Sequence, residues 1–322
     1  MRIVALSSGN GWHVEDLRRA AALRGIELAA CSWKQVSATV GDASAAITCG
    51  PVSLHDADAV LLRTMPAGSL EQIVFRMDAM HRLMAAGVPV INPPRAIETA
   101  VDKYLAIARM REAGLPVPAT AACQRLDDAM TAFDRLGGDV VVKPLFGSEG
   151  FGITRLDDRD LAARVLATLE RLGAVLYLQR FIPHDGSDLR LLVVGDRVLT
   201  AMRRRSTDWR TNIARGGVGE PFEPDDHLRD LALRAARACE ALIAGVDIVI
   251  DPREGQPYLL EVNAVPGWRE LQRVTGVDIA TAVLAYMQTV VASSAPLSPG
   301  ERAGVRGSTD DHRADISNAS IG

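Results

Sequence analysis

The run from Val246 to Asn263 leaves this chain the fewest folding choices. Val246-Asp247-Ile248-Val249-Ile250 and Tyr258-Leu259-Leu260-Glu261-Val262-Asn263 are short, apolar and β-branched, and Pro252, Gly255 and Pro257 fall between them. Such runs around such breakers predict a β-hairpin. With Ile250 opposite Tyr258, Asp247 falls opposite Glu261, and Asn263, two residues on, shares the Glu261 face. Opposed strand residues hold their Cβ atoms ~4.5–5.5 Å apart, and facing like charges destabilise a sheet. A cation between the carboxylates would relieve that repulsion. Two carboxylates and one amide oxygen suit Mg²⁺, which completes its shell with water and phosphate oxygens. A solvated acidic pair on a surface hairpin also fits this stretch taken alone.

The 322 residues suffice for two or three small domains with a sizeable core. A net charge of −4 does not suit a chain that coats nucleic acid or an anionic membrane. No run is long and apolar enough to span a bilayer, and Met1–Ser8 reads directly as a strand, so no signal segment is expected. Cys31, Cys49, Cys123 and Cys239 lack any Cys-x-x-Cys spacing and read as reduced packing thiols of a cytoplasmic protein. One bias is sharper. Among 36 basic residues only Lys34, Lys103 and Lys143 are lysine, which singles out positions where a compact ammonium serves better than a planar fork.

Periodicity predicts an opening β-α-β unit from Arg2–Ser8, Val14–Arg24 and Ile26–Trp33. Gly9-Asn10-Gly11 lacks the third glycine and the downstream acid of a dinucleotide fingerprint. Further strands are expected at Ala59–Arg63 and Val88–Asn92, with a helix over Leu70–Ala86 between them. A helix over Ala96–Ala113 carries Lys103. Strands follow at Ala119–Cys123 and Asp139–Val142 around a helix at Asp127–Leu136. Next come a strand at Ile153–Leu156, a helix at Leu161–Leu172 and a strand at Val175–Phe181. A hairpin turns at Gly195-Asp196, a helix runs Leu228–Ala244, and Ile279–Val291 closes the fold. From Ala292 the chain is polar and Gly-rich, the composition of a disordered tail.

Lys143 ends a strand just before Phe146-Gly147-Ser148-Glu149-Gly150-Phe151-Gly152. Glycines let amides approach phosphate oxygens, and a strand-end lysine adds a point charge; a plain glycine-rich turn is the alternative. Gln179-Arg180-Phe181-Ile182 could read an adenine edge with its backbone, and Asp188 could accept ribose hydroxyls. Arg203-Arg204-Arg205 and Trp209-Arg210-Thr211-Asn212 supply guanidinium clamps for a carboxylate or phosphoryl group, or else a solvated face. Gly216-Gly217-Val218-Gly219 suits a substrate-covering loop.

Taken in order, these segments resemble the ATP-grasp superfamily and, within it, the RimK-type α-L-glutamate ligases, over about residues 1–290. The likeness is carried by Val142-Lys143-Pro144, the 147–152 glycine loop, Asp188-Leu189-Arg190, Trp209-Arg210-Thr211-Asn212, Gly245-Val246-Asp247 and Leu260-Glu261-Val262-Asn263-Ala264-Val265-Pro266-Gly267. The resemblance implies an α/β fold, α+β in part. An N-terminal Rossmann-like pre-ATP-grasp domain would span 1–94 and a central subdomain with the glycine loop 95–183. A metal-binding subdomain would span 184–291, followed by a disordered tail at 292–322. It implies that Lys103, Lys143, Gly147, Ser148, Glu149 and Gly150 hold phosphate. Gln179, Arg180, Phe181 and Ile182 would line the adenine pocket, Asp188 would hold ribose, and Arg210, Thr211 and Asn212 would reach phosphate. Asp247, Glu261 and Asn263 would bind two Mg²⁺ or Mn²⁺ ions. Arg190, Arg204 and Arg210 are the expected catalytic side chains. Arg180 departs from the pattern, standing where members usually carry Glu.

The activity so implied is ATP- and Mg²⁺-dependent addition of L-glutamate to an acceptor carboxylate through an acyl phosphate. A coenzyme such as a methanopterin-type pterin is the expected acceptor, its ring stacking near Trp209 or Trp268. A protein C-terminus, ribosomal or amino-group carrier, is the alternative. A non-catalytic nucleotide-binding regulator is a third reading, which the three metal ligands oppose. No nucleic acid or membrane partner is expected, and self-association is left open.

Overall fold

The computed structural model describes residues 1–41, 46–147, 152–211 and 217–294. β1 (Arg2–Ser7), α1 (Trp12–Leu23) and β2 (Glu27–Ser32) form the expected unit, with β1 and β2 parallel from Arg2↔Glu27 to Ser7↔Ser32. Ile3 to Leu6 are wholly buried, as suits a parallel strand covered on both faces. β3 (Val36–Thr39), β4 (Ala46–Cys49) and β5 (Val52–Ser53) make a small antiparallel sheet that the apolar periodicity does not announce. β6 (Ala59–Leu62), α2 (Leu70–Ala85) and β7 (Val90–Ile91) complete a sheet of order β2-β1-β6-β7. Ser69 and Gln72 close a reciprocal capping box at the start of α2.

The helix expected over Ala96–Ala113 is two helices, α3 (Pro94–Val101) and α4 (Lys103–Glu112). Asp102 between them is extended, and its carboxylate accepts the Leu105 N–H at 3.0 Å. A short acid that caps locally outcompetes continuation of the helix. The break makes Lys103 the first residue of α4. β8 (Thr120–Cys123), α5 (Leu126–Arg135), β9 (Val140–Lys143), β10 (Thr154–Leu156), α6 (Arg159–Arg171) and β11 (Leu176–Arg180) then build an antiparallel sheet of order β10-β9-β11-β8. This lobe has its own core around Phe133, Val140, Leu166 and Leu178.

β12 (Ser187–Val194) and β13 (Arg197–Arg205) turn at Gly195-Asp196 as expected, with Gly195 at φ +64, where glycine is unstrained. β14 (Val218–Pro221), α7 (Asp226–Ala238), β15 (Ile243–Asp251) and β16 (Gln256–Asn263) complete a five-stranded sheet of order β14-β13-β12-β15-β16. The helix expected to reach Ala244 stops at Ala238, because Leu242–Val246 belongs to the buried start of β15 and its approach. An apolar run of that length fits a helix or a covered strand equally by pattern. α8 (Arg269–Thr275) was not foreseen, and α9 (Ile279–Ser294) was. The tail expected from Ala292 falls, beyond Ser294, outside the described residues.

Two further cores tie the first sheet to the last. One joins Val4, Leu6 and Val60 to Leu189, Leu191 and Val246; the other joins Ile3 and Leu61 to Leu192, Met202 and Trp268. Asn92, buried at the end of β7, pins the final hairpin from outside. Its amide donates to Ile243 O and Ala264 O and accepts the Leu242 and Ile243 N–H groups. Among the described residues no single helix is long and apolar enough to cross a membrane, and the four cysteines are free thiols.

Candidate active site

β15 and β16 pair as an antiparallel hairpin with Asp247 opposite Glu261 and Gly245 opposite Asn263. The expected Ile250–Tyr258 pair is off by one: Ile250 faces Pro257, and Tyr258 faces Val249. A bulge beside Asp247 leaves Leu260 without a partner and restores the pairing at the acidic end. The two carboxylates and the amide therefore share one face, as the alternation requires.

The positive charge that this face demands is present as arginine. Arg190, opposite Asp247 on β12, donates Nε and Nη2 to the two Asp247 carboxylate oxygens at 2.5 and 2.6 Å. Arg204 on β13 donates to both oxygens of Asp188 at 2.7 and 2.5 Å and reaches Asp247 at 3.0 Å. All four side chains are largely buried, so Asp188, Arg204, Asp247 and Arg190 form one ion chain across three strands. Burial pushes the Asp247 carboxyl up, but Arg190 and Arg204 outweigh it and hold the group well below the usual carboxylate range. Burial likewise lowers Arg204, and Asp247 and Asp188 more than offset it, so its charge is secure.

The donor set still fits a hard cation. An ionised carboxylate offers about four lone-pair sites. Asp247 has three of them occupied, all by guanidinium donors. Glu261 accepts no side-chain hydrogen bond among the described residues, and Asn263 Oδ1 accepts only the Val265 N–H at 2.8 Å. Among the described residues no three His, Cys, Asp or Glu side chains converge. Mg²⁺ uses one or two carboxylates and fills the remainder from substrate phosphates, so a full protein cage is not required.

Beside this face opens a cleft between β9–β11 and β12–β16. Val141, Ile153, Phe181, Val249 and Leu260 make apolar walls suited to a flat ring. Lys143 at the end of β9 lines it, donating to Gln179 Oε1 at 2.7 Å. Burial holds the Lys143 ammonium down at about 8, with Glu261 partly offsetting and Lys103 adding to the effect. Lys103 Nζ donates to Gly147 O at 2.7 Å, tying the start of α4 to the glycine loop. Arg210 is held by Asp208 at 2.6 and 2.8 Å, and its guanidinium lies 5.3 Å from the Trp209 ring centre.

Of the residues singled out in the sequence, Lys143, Gln179, Arg180, Phe181, Ile182, Asp188, Arg204, Arg210, Thr211, Asp247 and Glu261 line this cleft. Arg190 joins them through Asp247, and Asn263 through the hairpin. Ser148, Glu149, Gly150 and Asn212 lie outside the described residues. Asp188, expected at a ribose, has both oxygens on Arg204, so that role requires the pair to open. Arg155 was missed: it pairs with Asp139 and stacks 3.7 Å from the Phe181 ring centre. Its signal was a lone charge in the middle of a short strand, between Thr154 and Leu156. His184, packed 5.7 Å from Phe181, was also missed.

Trp268 is not available for stacking. It is 1% exposed, its indole N–H donates to Asp16, and Arg63 sits 4.1 Å over its ring. The Trp268 backbone N–H donates to His13 Nε2 at 3.0 Å, and burial followed by Arg63 holds that imidazole neutral, down at about 4. A large apolar residue following a ligand string is claimed here by the core, the commoner fate of tryptophan.

Residues 100–287 match the family model of the RimK-like ATP-grasp domain. The chain is 31% identical over 284 residues to the tetrahydromethanopterin:alpha-L-glutamate ligase of Methanosarcina acetivorans, covering 80% of this chain and 87% of that one. It is 31% identical over 293 residues to the ribosomal protein bS6–L-glutamate ligase of Escherichia coli O7:K1, covering 89% and 96%. In three dimensions it is similar, with a TM-score of 0.70 at 24% identity and coverage of 89% and 97%, to the ATP-grasp ligase PsnB solved with a phosphomimetic precursor variant, Mg and ADP.

Proposed function

The chain belongs to the RimK-like ATP-grasp family and is an ATP-dependent ligase of the amide-forming class, and from that premise we propose that it joins L-glutamate to the carboxylate of a pterin-type coenzyme. The observation that carries the ligase chemistry is the single face on which Asp247, Glu261, Arg190 and Arg204 meet, beside the apolar-walled cleft and Lys143.

The reaction needs no protein nucleophile. An acceptor carboxylate oxygen attacks the γ-phosphorus of ATP, ADP departs, and an acyl phosphate results. The glutamate amine then attacks the acyl carbon, phosphate leaves, and the nitrogen sheds a proton. Mg²⁺ held by Asp247, Glu261 and Asn263 would supply charge stabilisation for the phosphoryl oxygens. Lys143 meets phosphate as a point charge, and the apolar walls around Phe181 take the adenine. Arg190 and Arg204, anchored on Asp247, present cationic edges to the acyl phosphate without reorganising.

A peptide C-terminus is the second reading, favoured by equal identity to the bS6-modifying relative over a longer span. The test is phosphate release with mass-spectrometric detection of amide product. L-glutamate and ATP are supplied with either a carboxylate-bearing pterin or a bS6 C-terminal peptide. Product from the pterin supports the first reading; product from the peptide alone replaces it with the second.

Lys143→Arg should not be conservative, since a fork cannot occupy the place of a compact ammonium. Calorimetry should show ATP affinity reduced about tenfold at pH 7, a loss of ~1.4 kcal/mol. In the wild type the ammonium of the free site is lost as pH rises through about 8. ATP affinity should therefore weaken between pH 7 and 9, and this slope should be absent from the arginine variant. Identical affinities and slopes would remove Lys143 from the phosphate site.

A further inference from the structure

We propose that the acceptor sits in the hollow between Trp12 at the start of α1 and Arg269 on α8, as a ring-bearing anion. Its ring would lie against the Trp12 indole and an anionic substituent of that ring at the Arg269 guanidinium, leaving the carboxylate to be activated free to reach Arg190 and Arg204. The inference rests on the ligase reading above and names the acceptor's subsite.

Asp247, Arg190 and Arg204 occupy one face of the last sheet, and Gly219 on β14 is the strand partner of Arg204. α8 lies on that same face: a side chain at Gly219 would begin 3.3 Å from the Glu270 carboxylate and 3.3 Å from the Met202 sulfur. The nucleotide cleft lies toward Lys143 and Phe181. Attacking and leaving oxygens are roughly in line in phosphoryl transfer, so the acceptor approaches from the side away from ADP. Beside Arg204 the sheet continues to Gly219, α8 packs against that glycine through Glu270, and α8 forms the hollow with Trp12 through Arg269, Glu270 and Arg273.

Trp33 and Trp268 are buried, at 2% and 1% exposure, and Trp209 lines the nucleotide cleft edge-on to Phe181. Trp12 is half-buried and lines the hollow. It packs edge-on against His13, whose ring is fixed by the Trp268 N–H, so its indole rests on a rigid base. Aromatic faces of this kind favour offset stacking with a second ring.

Arg273 is neutralised by Glu270 through two hydrogen bonds at 2.8 and 2.6 Å. Arg269 is exposed, lies 5.8 Å over the Trp12 ring, and has no carboxylate within 4.0 Å among the described residues. The hollow thus presents one stacking face and one uncommitted cation, which matches a planar ring carrying an anionic substituent distinct from the carboxylate to be activated.

The test uses the full chain and two probes, pterin-6-carboxylate and the uncharged 6-hydroxymethylpterin, with binding read by calorimetry. Trp12→Leu should weaken both at least tenfold. Arg269→Gln, at an exposed position that leaves folding intact, should weaken only the carboxylate, by a similar factor. In turnover both variants should raise KM for the acceptor while KM for ATP moves less than twofold. Wild-type binding of both probes by both variants overturns the subsite, and so does binding of a bS6 C-terminal peptide with no binding of either pterin. If both variants lose probe binding as expected but the wild type forms no amide product, the subsite stands and the ligase reading falls. Product formed by both variants at wild-type acceptor KM does the reverse.

Discussion

Glu261→Gln is expected to lower amide formation about a thousandfold or more while leaving the melting temperature equal to or above that of the wild type. Metal-ion charge stabilisation supplies several kcal/mol to such a transition state, and ~4 kcal/mol is about three powers of ten in rate. Glu261 faces Asp247 across the hairpin and accepts no side-chain hydrogen bond among the described residues, so removing its charge relieves that facing repulsion and breaks no such bond. Asp247→Asn should fall as far in turnover but in the opposite direction in stability. From the sequence, removing either facing carboxylate relieves the same repulsion; the structure separates them, because Asp247 anchors Arg190 and Arg204. Its carboxyl lies below its ordinary value of 3.8, so its stabilising share is full above that pH and is lost as pH falls toward the lowered native value. The asparagine variant should lack that part of the acid transition. Wild-type turnover in Glu261→Gln would sink the metal assignment, and a raised melting temperature in Asp247→Asn would sink the anchoring role.

The last hairpin was legible because two constraints coincide there. Alternation puts i and i+2 on one face, and proline and glycine mark the turn. A bulge at Leu260 is invisible to alternation, so the inferred register was right at Asp247 and wrong at Ile250. The opening β-α-β unit was equally readable, since its helix and strands have different periods and a glycine between them. What failed were boundaries inside long apolar stretches. Nothing in Leu242–Val246 distinguishes a helix end from a covered strand until β12 and β16 are placed on either side of it. Asp102 divides α3 from α4 by a cap that an amphipathic pattern continues straight through.

At the site, the residue types and their order were legible, and the pairings were not. Asp188, Arg190, Arg204 and Asp247 come from three strands, and only the sheet order makes one ion chain of them. Trp268 looked free because it follows the ligand string directly. Its fate is set by Arg63 and Asp16, about two hundred residues earlier or more, which no local reading brings near. Trp12 drew no notice in the sequence for the converse reason: its neighbour Arg269 arrives from the other end of the chain.

Arg204→Leu should be the most damaging single change to the fold in this region. The side chain is 3% exposed as a residue and is the shared partner of two buried carboxylates. Breaking a buried pair from one side costs ~3–5 kcal/mol, because it strands a desolvated charge. Asp188 loses its bidentate partner, whereas Asp247 keeps Arg190. The double variant Asp188→Leu with Arg204→Leu should therefore recover most of the lost stability, since replacing a buried pair by apolar residues is often neutral. It should recover no turnover, because the cationic edge toward the acyl phosphate is absent in both. Urea denaturation midpoints and amide formation, measured on the wild type, Arg204→Leu and the double variant, separate these effects. A single variant as stable as the wild type would mean that Arg204 is solvated in solution. A double variant with restored turnover would mean that the ion chain serves the fold alone, and Arg190 would then be left as the guanidinium that meets the acyl phosphate.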